Sequence, residues 1–149
     1  MQITAILPEG DRIWIGTQGR GIAEVGRSTG AVKWHDETNG LPDDWVRCIA
    51  RANHTLYAGT FVGGLARLGK SRWITYSGLS GQEVTALVPD GKDGLIVSTR
   101  RGVYAVHGSA LKPLWTRPQP PVSEAQALCL VDGELWIGTR NCLMRARAR

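Results

Sequence analysis

A short motif, an apolar run closed by Gly-Thr, recurs along the whole chain and constrains its fold more than any other feature. The first copy occupies residues 14–17, and the later copies end at Thr60, Thr99 and Thr139. Counted from Thr17, the intervals between these threonines are 43, 39 and 40 residues. A self-similar period near 40 residues indicates an array of one supersecondary unit, so each unit must be compared with its neighbours.

Each unit divides into short strands separated by polar turns. The first strand has a small residue at its third place, and its four copies are residues 3–6, 46–49, 84–87 and 125–128. The second strand ends in Gly-Thr, and the third begins at Ile22, Leu65, Val103 or Leu143. A fourth strand with a tryptophan (residues 32–34, 71–73 and 113–115) follows in three units, whereas the last unit stops after its third strand. We therefore predict one domain over residues 1–149, with repeats at about 2–45, 46–83, 84–124 and 125–149.

The second strands are apolar at consecutive positions, as in residues 13–15 and 135–137. A half-buried strand would alternate, whereas a strand covered on both faces has no need to. Small antiparallel sheets that cover one another on both faces are the blades of a propeller. The predicted fold class is all-β: a β-propeller arc of about four blades, three of them complete and four-stranded and one lacking its last strand.

The repeats resemble the two-component regulator propeller repeat, the short blade motif of bacterial sensor ectodomains. Residues 13–17 with 21–22, 57–60 with 63–65, and 132–139 fit its pattern, and this resemblance covers essentially the whole chain. The third unit departs at Ser98 and at residues 101–103, and the fourth has Asn141 and Cys142 in place of the glycine pair. The resemblance implies a ligand-sensing or interaction domain, commonly outside the membrane and often recognising carbohydrate-derived ligands. Nothing in the chain resembles the attached histidine kinase.

The net charge of +5 invites a nucleic-acid hypothesis, which the repeat alignment argues against. The basic tail, residues 144–149, aligns with a third strand, and its arginines alternate as outward-facing strand residues do. No apolar stretch approaches the roughly 20 residues of a membrane span. The first residues lack the features of a signal peptide. We expect no nucleic acid, no membrane contact and a cytoplasmic location for the chain as written, although a parent protein could be periplasmic or extracellular.

The chain has three cysteines and no CxxC spacing, so we expect neither a zinc site nor a disulfide framework. Cys48 takes a place that alanine holds in the other units, so it is expected to be a small buried filler. We predict no metal and no cofactor.

An arc of four blades has an unsolved physical problem, because its first and last blades each show an apolar face to water. Two copies could pair head to tail around a two-fold axis, giving eight blades or a tightened ring. The chain could instead be a segment of a longer propeller, or four units could close alone as a strained ring. The homodimer is the leading prediction.

A binding site is expected where the units differ, on the face reached by the second-to-third turns and the loops that enter each first strand. Polar, charged and aromatic side chains there could bind a small polar or anionic ligand, including a sugar stacked on Trp45. The candidate ligand-binding residues are Arg20, Asp43, Asp44, Trp45, Phe61, Glu83, Arg100, Arg101, Glu124 and Arg140. The candidate channel-lining residues are Thr4, Arg47, Thr85 and Gln126. The recurring tryptophans, Trp14, Trp34, Trp73, Trp115 and Trp136, are expected to pack within or between blades.

Catalytic signals are few. The three histidines occupy unrelated repeat positions, and His35, Asp36 and Glu37 are strand neighbours that point to opposite faces. Streptogramin lyases, which are related propellers, use His and Glu at the channel mouth with a metal, yet Glu83 and Glu124 have no histidine beside them. The sequence thus favours a non-enzymatic binding or sensing module, with a purely structural self-assembling segment as the alternative and a lyase-like enzyme third.

Overall fold

The computed structural model describes residues 1–116 and 124–147. Within these residues, fifteen β-strands form four antiparallel sheets, and two one-turn 3-10 helices, Glu37–Asn39 and Ser77–Leu79, connect sheets. In every sheet the strands pair in chain order, so each sheet is a meander. Three sheets have four strands and the last has three, which confirms the predicted arc of three complete blades and one shorter blade.

The first sheet consists of β1 (Gln2–Glu9), β2 (Arg12–Gln18), β3 (Ile22–Gly26) and β4 (Val32–His35). The second consists of β5 (Val46–Ala52), β6 (Thr55–Thr60), β7 (Leu65–Leu68) and β8 (Trp73–Thr75). The third consists of β9 (Val84–Pro89), β10 (Leu95–Thr99), β11 (Gly102–His107) and β12 (Ala110–Thr116). The fourth consists of β13 (Ala127–Val131), β14 (Glu134–Gly138) and β15 (Leu143–Arg147).

Several strand limits differ from the prediction, and two strands begin later than predicted. The fourth strand of the second unit begins at Trp73, because the Gly69 amide donates to the Arg72 carbonyl (2.9 Å) and holds the preceding residues in a tight turn. The first strand of the last unit begins at Ala127, later than predicted. The basic tail does form a strand up to Arg147, in which Arg145 is exposed. Residues 148 and 149 of that tail, and the side chain of Trp115, lie outside the described part of the chain.

The sheets pack face to face, with their first strands β1, β5, β9 and β13 adjacent in space. Each of the three junctions has its own apolar core. Between the first and second sheets the core includes Trp14, Leu41, Leu56 and Trp73. Trp14 and Trp73 therefore pack between blades, as the sequence predicts. The other two cores are built in the same way from the facing sides of successive sheets.

The threonine of each Gly-Thr pair, and that of the Ser98-Thr99 pair in the third sheet, closes the turn between the second and third strands. In all four sheets its hydroxyl donates to a backbone carbonyl across that turn, which satisfies a carbonyl at a site with little or no access to water. The four bonds run from Thr17 to Gly21 (2.9 Å), Thr60 to Gly64 (2.8 Å), Thr99 to Gly102 (3.4 Å) and Thr139 to Cys142 (3.1 Å).

The glycine of the pair makes room for the next sheet. A Cβ added to Gly16 would lie 2.9 Å from Cγ1 of Val46, and one added to Gly59 would lie 2.4 Å from Cγ1 of Val84. Val46 and Val84 are each the leading residue of the following first strand. The glycine is thus required by a close approach between sheets, a condition that only a residue without a Cβ meets.

The third junction shows the same packing in a compensated form. Ser98 replaces the glycine, and the fourth sheet is preceded by Ala125 where Val46 and Val84 lead their sheets. Both Ser98 and Ala125 are buried, and the Ser98 hydroxyl lies 2.8 Å from that of Thr85. A larger residue on one side of the contact is matched by a smaller residue on the other, as a densely packed interior requires.

The close approach between Gly59 and Val84 predicts a measurable coupling. Gly59→Ala should lower the free energy of unfolding by about 1–3 kcal/mol, because the added methyl group overpacks the junction. In the double variant with Val84→Ala the total loss should be smaller than the sum of the two single losses, since the shortened side chain makes room. Urea unfolding of the four proteins measures this, and strictly additive losses would contradict the packing argument.

Candidate functional site

Pairs of side chains stand at one end of the sheets, where each first strand begins and each second strand has just ended. Gln2 pairs with Gln18 in the first sheet. The Phe61 amide donates to the Trp45 carbonyl (3.0 Å), and the Arg100 amide donates to the Glu83 carbonyl (3.3 Å). Equivalent places in three successive sheets thus hold an amide pair, an aromatic pair and an ion pair. We name these six residues the mouth surface.

The aromatic pair of the mouth surface is stacked. The ring centroids of Trp45 and Phe61 lie 4.0 Å apart with an interplanar angle of 19°. Both residues are half-buried, and each uses one ring face on the other. The pair therefore forms a rigid apolar element, and the face of Trp45 that is turned to Phe61 is not available to a sugar.

The carboxylate of the ion pair in the mouth surface is contacted by two arginines. Glu83 is buried, and its carboxylate is bound by the guanidinium of Arg100 and also lies 3.4 Å from Nη2 of Arg47. The Glu83 carboxylate raises the pKa of Arg100 above its ordinary value through their hydrogen bond. Two cations share one anion, and both arginine side chains are partly exposed. The charge of Glu124 also raises the pKa of Arg100, so the two carboxylates offset the charges of Arg47 and Arg100. What this cluster offers an anionic group is the exposed part of its two guanidinium donors.

Two predicted site residues hold the loops of the mouth. The Asp43 carboxylate accepts from the amides of Trp45 (3.0 Å) and Val62 (2.8 Å). The Asp44 carboxylate accepts from the Glu37 amide (2.9 Å). These bonds position the stacked pair and the entering loop, and they engage both carboxylates with backbone donors.

Of the remaining predicted ligand residues, Glu124 lies close enough to Arg100 for its charge to raise the pKa of that guanidinium. No described contact brings Arg20, Arg101 or Arg140 into the cluster. The Arg20 guanidinium lies 4.2 Å from the ring centroid of Trp34, which is half-buried beneath it. Arg101 and Arg140 are exposed turn residues, and Glu124 is half-buried with a φ of 68°. Their part in ligand binding stays a prediction.

The four predicted channel-lining residues occupy one repeat position, and three of them stand at irregularities of the ladder. Register shifts surround Thr4 and Arg47 and fall opposite Thr85, so each is an extra residue in its first strand. The Thr4 hydroxyl donates to the Val46 carbonyl, and that of Thr85 to the Ala125 carbonyl, both at 2.5 Å. These hydroxyls link neighbouring first strands. Gln126 is exposed, and whether the four residues line a channel stays a prediction.

A buried polar network between the first and second sheets was not anticipated from the sequence. The indole N–H of Trp73 donates to Nδ1 of His35 (3.3 Å), so the ring proton of neutral His35 is on Nε2, which contacts Glu24 (2.9 Å). The Trp14 ring packs 5.5 Å from the His35 ring. Its buried indole nitrogen makes no hydrogen bond of normal geometry with the described residues, although it lies close enough to Glu9 to help lower the pKa of that carboxyl. His35 thus stabilises a junction, and it does not form a metal site with Asp36 and Glu37.

This network lies at the back of a groove of about 410 Å³ between the two sheets, at the end opposite the mouth surface. Arg51, on its wall, binds the Glu9 carboxylate of the first sheet, with 2.8 Å between Nη2 and Oε1. The hydrogen bond from Arg51 holds the pKa of Glu9 below its ordinary value. The pair is an electrostatic link between two blades.

The lowered pKa of Glu9 predicts a pH-dependent contribution to stability. The contribution is present above the ordinary carboxyl pKa and is lost as the pH falls through the lowered value. Glu9→Gln should therefore reduce the free energy of unfolding by about 0.5–1 kcal/mol at pH 7 and should make no difference near pH 3. Urea titrations at both pH values test this, with Asp93→Asn, an exposed carboxylate of the third sheet, as the control. An equal loss at both pH values would contradict the role of the pair.

Within residues 1–116 and 124–147, no helix is long and apolar enough to cross a membrane. The same residues contain no group of three or more His, Cys, Asp or Glu side chains placed to hold a metal ion. The three cysteines, which all fall in this part of the chain, are free.

Comparison with known proteins identifies the fold through structure and not through sequence. No family model matches the chain, and no curated protein matches its sequence. The chain is similar over its whole length to 21% of the extracellular domain of the putative hybrid two component system BT4673 from B. thetaiotaomicron, with 21% identity and a TM-score of 0.85. It is similar over 92% of its length to 19% of the corresponding domain of BT3049 from the same organism, with 19% identity and a TM-score of 0.70.

A third similar structure is the computationally designed Ika4 protein. Here 98% of this chain matches 91% of the other, with 17% identity and a TM-score of 0.77. The chain thus spans about a fifth of the two extracellular domains and nearly the whole of the designed protein. The four sheets are blades of a β-propeller arc, and in fold they match parts of the extracellular domains of two putative hybrid two component systems.

Proposed function

We propose that the chain is a non-catalytic propeller module that binds a small polar ligand carrying a carboxylate or similar anionic group at the mouth surface. The observation that carries the proposal is the cluster of Arg47, Glu83 and Arg100 beside the stacked pair of Trp45 and Phe61. Such a site offers a bidentate guanidinium to an anion and an apolar wall to the rest of the ligand.

The position of the cluster also supports a binding function. Its residues lie on the second and third sheets at the end where turns and loops from successive blades meet, and Arg47 spans from one sheet to the carboxylate of the next. The extracellular domains of BT4673 and BT3049, which share the fold, belong to putative hybrid two component systems. We propose that a sensing function in this chain would use the mouth surface.

A lyase-like activity is less well supported. A general base needs an accessible carboxylate, whereas the Glu83 carboxylate is buried and engaged by two arginines. A carboxylate paired in this way is suited to positioning the two guanidinium groups and poorly suited to accepting a proton from a substrate.

The binding proposal predicts the effect of two substitutions. In a thermal-shift screen of sugar acids, amino acids and neutral oligosaccharides, anionic compounds should raise the melting temperature at about 1 mM. For the best compound, Arg100→Gln should raise the Kd at least tenfold, about 1.4 kcal/mol. Arg72→Gln, which removes the same charge from an exposed turn outside the mouth, should leave the Kd unchanged.

Two results would count against this function. One is the absence of any stabilising compound in the screen. The other is an equal loss of affinity in Arg100→Gln and Arg72→Gln, which would show that net charge and not the mouth surface is responsible.

A structural role, in which association itself is the function, is the second candidate. It is favoured by the outward faces of the first and last sheets, where large apolar side chains such as Ile6 and Leu143 are exposed. Exposed apolar surface of this kind marks an interaction site.

We place the chain in a reducing compartment such as the cytoplasm. Its three cysteines are free, and Cys129 is exposed, as is usual where thiols are kept reduced. The extracellular location of the domains with the same fold is a property of those proteins.

A further inference from the structure

The two ends of the arc expose opposite sides of a blade. The outward side of the first sheet, which we name the leading face, comprises Ile6, Pro8, Ile13, Ile15, Ala23, Val25, Val32 and Trp34. The Arg20 guanidinium lies over the Trp34 ring at one edge of this face. The outward side of the fourth sheet, the trailing face, comprises Cys129, Val131, Trp136, Leu143 and Arg145. Ile6 is 63% exposed and Leu143 is 68% exposed, so the part of the chain that the structure describes covers neither face.

The repeat makes these two faces complementary. Trp136 occupies the strand position of Trp14, which is only 2% exposed because the second sheet covers it. Ile13 and Ile15 occupy the positions of Leu56 and Ala58, which cover Trp14 in that junction. The trailing face is therefore equivalent to the side of the first sheet that the second sheet covers. The leading face is equivalent to the side of the second sheet that covers it.

The charges beside the two tryptophans repeat in the same arrangement with their signs exchanged. Next to Trp14, Arg12 lies 3.4 Å from Glu24, and next to Trp136, Glu134 lies 3.8 Å from Arg145. The residues of each pair hold equivalent places on the second and third strands. A neutralised pair of this kind already borders the buried junction of the first two sheets, so the one beside Trp136 is compatible with burial.

The glycine contact supplies the most specific evidence. Gly16 and Gly59 are each closed off by the valine that leads the next sheet, whereas a Cβ on Gly138 would meet nothing closer than Cβ of Ala127 at 3.4 Å. Among residues 1–116 and 124–147, no side chain other than that of Ala127 approaches this place above Gly138. The residue equivalent to Val46 and Val84 at the start of the arc is Ile3, and it is 53% exposed.

We propose that a second copy of the chain covers these faces, joined head to tail. Ile3 of each copy packs on Gly138 of the other, and Ile13 and Ile15 of each copy cover Trp136 of the other. Such an interface is heterologous, and two of them related by a two-fold axis close a ring of eight blades. The proposal concerns assembly and does not depend on whether the mouth surface binds a ligand.

The solution mass of the 149-residue chain tests the assembly. Light scattering at micromolar concentration should give the mass of two copies. A monomer would overturn the proposal and would assign both faces to other blades, such as those of a longer polypeptide. A series of larger masses would overturn the closed ring.

Substitutions on the two faces test the arrangement. Gly138→Val fits the folded chain, because the first new atom meets Ala127 at an ordinary contact distance, but it fills the place that we assign to Ile3. Ile6→Lys places a charge on the leading face. Each variant alone should keep the circular dichroism spectrum of the parent and should be monomeric, with a dissociation constant raised at least tenfold. Ile74→Lys, at an exposed isoleucine outside both faces, is the matched control and should remain dimeric.

Mixing the variants separates head-to-tail pairing from other dimers. Ile6→Lys retains an intact trailing face and Gly138→Val an intact leading face, so the mixture should regain the mass of two copies through one intact interface. A dimer formed by two leading faces would be lost in Ile6→Lys and unaffected in Gly138→Val. That pattern, or a dimer insensitive to both substitutions, would overturn the proposal.

The cysteines provide a readout without substitution. Cys129 lies on the trailing face opposite Trp136, whereas burial raises the pKa of the Cys48 thiol to about 12 and suppresses its thiolate. Alkylation of Cys129 at pH 8 should slow as the protein concentration rises through the dimer range, and it should not slow in Gly138→Val. A rate independent of concentration in a protein shown to be dimeric would contradict burial of the trailing face.

Discussion

The fold depends on the distance of closest approach between successive sheets. Near their inner edges that distance is set by one contact, in which the residue leading a first strand rests on the glycine of the preceding Gly-Thr pair. The neighbouring threonine fixes the turn beside the glycine, so the contact surface is held rigid. Tryptophan, tyrosine and leucine side chains then fill the wider space farther out. A propeller arc results because each sheet is held close at its inner edge and spread by large side chains toward its outer edge.

The same contact explains how much of the fold could be predicted. Gly-Thr pairs and leading small or β-branched residues recur in the linear sequence, so the number of blades and the missing last strand follow from alignment alone. The strand limits at Trp73 and Ala127 did not follow, because tight-turn hydrogen bonds and local register decide them.

The pairings in the candidate site could be predicted only between residues whose repeat positions are equivalent in successive units. The alignment places Glu83 and Arg100 at the same positions as Trp45 and Phe61, so both pairings had a signal in the sequence. The approach of Arg47 to Glu83 had none, because it crosses from one sheet to the next. The same is true of His35 with Trp73 and of Arg20 with Trp34, since their separation in space depends on how strands stack and on which way each side chain turns.

The exchange of Ser98 and Ala125 at the third junction has a consequence for the order of assembly. A valine that leads a first strand packs on a glycine of the preceding sheet, as Val46 does on Gly16. The Ser98 side chain fills the equivalent space in the third sheet. The fourth sheet, preceded by alanine, is therefore the one that fits behind the third, and a valine or isoleucine at the place of Ala125 would crowd Ser98. The sizes of the side chains at each junction thus restrict which sheet can pack there. This restriction works against the exchange of blades between copies during folding.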